Sequence, residues 1–131
     1  MSAIKPNMEQ FAALAAAAKT NSGTGVMINL LKFRADEGAR EYGAYGDSAS
    51  KMVKALGGRL IYVGRCDQVL IGDDANDWDD IAVVEYPNRQ AFIDMVSKPD
   101  YQKASEHRDA GLERTVLIAT TRAAALEDAP R

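Results

Sequence analysis

Cysteine, histidine and tryptophan occur once each in this chain of 131 residues, and proline only four times. Each shortage excludes something. Cys66 has no second cysteine to pair with, so no internal disulfide holds the fold and no oxidising compartment is needed. One cysteine and one histidine, His107, are too few for a zinc set. His107 is also the single candidate for a haem ligand, in a strongly charged segment, which disfavours a haem protein. A formal net charge of −3 with no basic stripe argues against a phosphate-binding surface. No apolar run approaches the length of a bilayer span, and Met1 to Pro6 lacks the apolar core of a secretion signal. The expectation is a cytoplasmic protein with no metal, no cofactor and no nucleic-acid or membrane partner.

What the chain has is a composition 47% hydrophobic and 27% charged, ordinary for a globular domain and enough for one core. Its organising stretch is Val26 to Arg34, an apolar run with one amide, Asn29, in its middle and two cations at its end. Such a run reads as the central strand of a buried sheet. Ahead of it, Asn7 and Gln10 have the spacing of a capping box, and Phe11, Leu14, Ala15 and Ala18 share a helical face. Thr20 to Gly25 ends that helix. After the first strand, Tyr42, Tyr45, Ala49, Met52, Val53 and Leu56 form a second helical stripe, stopped by Gly57-Gly58.

Arg59 to Gly64 reads as a second strand, continued by Gln68 to Ile71 past an irregularity at Arg65-Cys66-Asp67. Asp79 to Tyr86 is a third strand, ended by Pro87. Asn88 caps a helix, Pro99 restarts a further one over Asp100 to Asp109, and Leu112 to Ala119 is a fourth strand. The order is a helix followed by β-α-β-β-α-β. This is an α+β, ferredoxin-like split βαβ with a four-stranded antiparallel sheet and its helices on one face. The expected organisation is an N-terminal helical extension (1–24), a sheet domain (25–120) and a flexible tail (121–131).

Alternation divides each strand into two sets. The purely aliphatic set of Val26, Ile28, Leu30, Val116 and Ile118 is expected under the helices, where an unpaired amide is costly. The other face then carries Met27, Leu31, Phe33, Leu60, Ile81, Val83 and Leu117, with Asn29, Tyr62 and Glu85 among them. That face is too apolar for water and predicts a homodimer closed sheet to sheet, with a small-molecule pocket between. The alternative is that the opening helix covers it.

Several of these segments also form a pattern. Met27 to Arg34, Gly57-Gly58-Arg59-Leu60, Trp78-Asp79, Glu85-Tyr86-Pro87 and Tyr101-Gln102 followed by His107-Arg108 stand in this order over about residues 25–120. In this the chain resembles the bacterial family called domain of unknown function 1330 (DUF1330), of the dimeric α+β barrel superfamily. The resemblance implies a dimeric barrel of ferredoxin-like topology, with an added N-terminal helix as in longer members. It implies no activity, since relatives range from cofactor-independent monooxygenases and isomerases to plain binding proteins.

Candidate chemistry rests on few residues. Glu85, among aliphatic side chains near Asn29 and Tyr62, suits a general acid or base; the competing reading is an ion pair with Arg59, Arg34 or Arg108. His107, the one imidazole in the chain, suits proton transfer, and Arg108 suits a bidentate grip on a carboxylate. Solvated surface is the competing account of both. Asn29 could donate to an oxyanion or hydrogen-bond across the dimer interface, and Lys32 and Arg34 could draw an anion or simply end a strand. The acidic stretch Asp73 to Asp80 fails as a calcium loop, because Trp78 and Asp79 stand where an oxygen ligand and a glycine are required. Two readings follow: a ligand-binding dimer with acid–base chemistry at Glu85 and His107, or a non-catalytic binding or interaction dimer.

Overall fold

The capping box forms. Asn7 accepts from the Gln10 amide, Gln10 accepts from the Asn7 amide, and α1 (Met8–Thr20) begins there. The computed structural model describes residues 3–123. It continues through β1 (Gly25–Phe33), α2 (Gly38–Ala55), β2 (Arg59–Arg65), β3 (Asp80–Tyr86), α3 (Arg89–Val96), α4 (Pro99–Gly111) and β4 (Leu112–Thr120). The strands form one antiparallel sheet in the order β2-β3-β1-β4, so β1 is central as expected. Gly57 takes φ +86°, the left-handed conformation that closes α2, and the Asn88 side chain accepts from the Ala91 amide to start α3. From residue 124 onward, the expected tail lies outside the described residues.

One strand segment does not form. Gln68 to Ile71 is irregular, and Leu70 and Ile71 are 85% and 95% exposed. β2 ends at Arg65 because the chain leaves the sheet there; a long connection follows, with a single 3₁₀ turn at Asp74–Asn76, before β3 begins.

The two sheet faces are the reverse of the expectation on β1. Met27 packs with Val53, Tyr86 and Met95, and Leu31 with Ala82 and Leu112, so Met27, Asn29, Leu31 and Phe33 lie toward the helices. Cross-strand register carries Val84, Leu60 and Leu117 to the same side. Val26, Ile28 and Leu30 therefore point away from the helices, with Val116 and Ile118 beside them on β4. Asn29 is tolerated under the helices because its side-chain amide donates to the Ala82 carbonyl at 3.1 Å, so it is not the unpaired group the expectation assumed. Ile81, Val83, Glu85 and Tyr62 are on the open face, as expected.

Helix α1 leaves that face bare. It packs against α3, with Leu14 on the core under the helices, and Ile4 joins Leu31 and Leu112.

Candidate functional site

Among the described residues, nothing covers the open face of the sheet. On β1 it presents Val26, Ile28 and Leu30; on β3, Ile81 and Val83; on the edge strands, Tyr62, Val116 and Ile118. Tyr62 is 56% exposed and Ile118 47%. A register shift at Ile61 brings Tyr62 opposite Val83, and its ring lies over Gly64, where any β-carbon would meet it.

Glu85 stands at the end of this face where β1 begins, opposite Val26 and Arg59. Its Oε1 accepts from Arg59 Nε at 2.7 Å, and its Oε2 lies 3.5 Å from an Arg122 nitrogen. Arg59 is thus the partner among those weighed, and Arg122 is a second one that the sequence did not single out. The bond to Glu85 holds the Arg59 guanidinium above its ordinary pKa. Asn29 is on the opposite face, so Glu85, Tyr62 and Asn29 do not share a pocket.

At the far end of β1, Lys32 and Arg34 line an open cleft of about 610 Å³ with Arg65, Cys66, Asp79 and Asp80. Ala39, in the first turn of α2, and two further carboxylates, Asp36 and Glu113, also line it. Arg34 Nε donates to the Leu112 carbonyl at 3.0 Å, and its terminal nitrogens meet no acceptor among the described residues. Lys32 is 3.4 Å from Asp79 and 3.5 Å from Asp77. Partial desolvation pulls the Lys32 ammonium down, but Asp79 and Asp77 outweigh it and its pKa is raised. Arg114 pairs with Asp77 and its guanidinium lies 4.5 Å above the Trp78 ring. Burial, with Asp80, Asp79 and Asp67 nearby, pushes the Cys66 thiol up, the opposite of a reactive thiolate.

His107 and Arg108 belong to α4, in the helix layer. His107 Nδ1 lies 3.0 Å from Glu41 of α2, and Arg108 donates to the Ile4 carbonyl at 2.6 Å. The structure therefore brings Lys32 and Arg34 together at the end of the sheet opposite Glu85, and Arg34 bonds through its backbone amide to the Gly111 carbonyl at the end of α4, the helix that carries His107 and Arg108. The stripe of α2 carries a phenol cluster with α4: Tyr45 and Tyr101 share a 2.7 Å hydrogen bond, and burial pushes Tyr42 up to about 12. Among the described residues no group of three or more His, Cys, Asp or Glu is placed to hold a metal, and no helix is long and apolar enough to cross a membrane.

A family model described as Domain of unknown function (DUF1330) matches residues 24–121. Among solved structures, the chain is similar to a protein of unknown function from Rhodopseudomonas palustris. The two are 31% identical with a TM-score of 0.87, over 95% of this chain and 100% of that one. A dabb family protein with a ferredoxin-like fold from Mesorhizobium loti shares 15% identity at a TM-score of 0.57, over 78% of this chain and 99% of its own. Hydroxynitrile lyase from Passiflora edulis shares 8% at 0.59, over 76% and 94%. These last two bear on the fold alone. No curated protein matches the chain in sequence.

Proposed function

The chain belongs to the DUF1330 family, and on that premise we propose that it works as a homodimeric binding protein closed through its open sheet face. Its ligand is a small carboxylate or similar anion held in the cleft at the end of β1. The observation that carries the dimer is the bare face itself: eight large apolar side chains on four strands, with α1 packed elsewhere. A symmetric pair buries that surface with no new component.

For the ligand, Arg34 supplies a guanidinium whose terminal nitrogens meet no acceptor among the described residues, and the first turn of α2 adds a favourable dipole end. The arrangement favours binding over acid–base catalysis. Glu85 is held by two arginines, and His107 lies in the other layer, bonded to Glu41.

Sedimentation equilibrium tests the dimer: a twofold mass is expected for the wild type, and a folded monomer for Leu30→Lys at the centre of the face. A wild type that stays monomeric at all concentrations overturns it. Titration with a panel of small mono- and dicarboxylates tests the cleft, with binding expected to weaken about tenfold or more in Arg34→Ala. Binding that is indifferent to Arg34 places the ligand elsewhere.

A further inference from the structure

The two ends of the open face carry opposite charge. At the Val26 end, Arg59 and Arg122 share the carboxylate of Glu85, which leaves an excess positive charge among the described residues. The other end is roughly 17 Å away along β3 and is crossed by the β2–β3 connection, residues 66–79. That connection holds five aspartates and no lysine or arginine. Lys32 and Arg114 neutralise Asp77 and Asp79. No cation among the described residues lies within ion-pair distance of Asp67, Asp73 or Asp74.

Arg114 fixes the connection over the sheet end by donating to the Ala75 carbonyl and pairing with Asp77. The connection also offers Val69, Leu70 and Ile71, which are exposed among the described residues.

We infer that this connection is an intermolecular strap. In the dimer, the acidic strap of each copy lies over the Arg59–Arg122 end of the other, and Val69 to Ile71 cover the partner's exposed Ile61 at the start of β2. This rests on the dimer proposed above and adds its orientation. When two identical faces meet about a twofold axis lying between them, that axis runs either along the strands or across them. An axis along the strands stacks the arginine end on itself and sets the unneutralised aspartates of the two straps against each other, and like charges at an interface are unfavourable. An axis across the strands sets each arginine end against a strap and lays β2 over β2. The start of β2, with Ile61, then lies beside the partner's connection, which leaves the opposite end of its own β2.

Sedimentation equilibrium of full-length variants at low salt distinguishes these arrangements. Asp67→Lys with Asp74→Lys is expected to weaken the dimer about tenfold, and Arg122→Glu to weaken it similarly. All three changes in one chain are expected to restore it. Leu70→Ser with Ile71→Ser is expected to weaken it without altering the circular dichroism, since both side chains are nearly fully exposed in the monomer. Charge reversals that leave the dimer unchanged overturn the strap, as does a triple variant that fails to recover. Either result leaves the dimer itself standing, whereas a wild type that never dimerises removes the dimer and the strap together.

Discussion

Replacing Glu85 with Gln removes the carboxylate that Arg59 and Arg122 share, and it separates two ways of reading one residue. The Arg59 side chain is largely exposed, so the pair is screened, and the urea unfolding midpoint is expected to change little. Any ligand affinity measured at the β1 cleft should be unchanged, because Glu85 stands at the other end of the sheet. Asp77 behaves differently. Desolvation raises its carboxyl, but Arg114 and Lys32 outweigh this and hold it below the ordinary aspartate range. A depressed folded-state value means stability that is present above the ordinary aspartate pKa and is lost as pH falls through the depressed one. The urea midpoint of the wild type should therefore drop more steeply than that of Asp77→Asn between about pH 5 and pH 2. Parallel curves would show that the cluster contributes nothing to folding. Neither ion-pair set was fully legible beforehand, because Glu85 lies 26 residues from Arg59 and Asp77 lies 37 from Arg114.

At the scale of elements, the local signals were the readable ones. Gly57 stops α2 with a positive φ, and Gly57→Ala should cost about 1–2 kcal/mol by chemical denaturation, since alanine pays the left-handed penalty there. The Asn7 and Asn88 caps and Pro99 at the start of α4 were equally plain, each depending on neighbours within one turn. The sides of the sheet were not. Alternation groups Val26 with Ile28 and Leu30, but it does not say which group the helices cover. Asn29 pointed the wrong way because its acceptor, the Ala82 carbonyl, is 53 residues distant. Gln68 to Ile71 misled for a related reason: three apolar residues in a row suit a strand, yet no neighbouring strand is free to pair with them beyond Arg65. The site was partly legible, in that Lys32 and Arg34 do share a cleft. Arg65, which joins them there, was unremarkable in sequence.

For the whole molecule, a face buried only on association couples folding to concentration. If the dimer forms as proposed, the thermal midpoint should rise with protein concentration, and the rise should disappear in Leu30→Lys; a midpoint independent of concentration in both would indicate that the face contributes nothing to stability. Trp78, the single tryptophan, sits in the β2–β3 connection beneath Arg114, so its emission provides a local signal of strap docking during dilution. The central place of β1 has another consequence, for synthesis. Its partner β4 joins it through bonds such as Thr115 to Leu30, which spans 85 residues, and Arg108 reaches back 104 residues to Ile4. On the ribosome, β1 must wait with one edge unpaired until almost the whole sheet has emerged, and pairings of such long range are intrinsically slow to close. A nascent chain halted before β4 would present an open central strand, making that interval the one in which the protein most needs a chaperone.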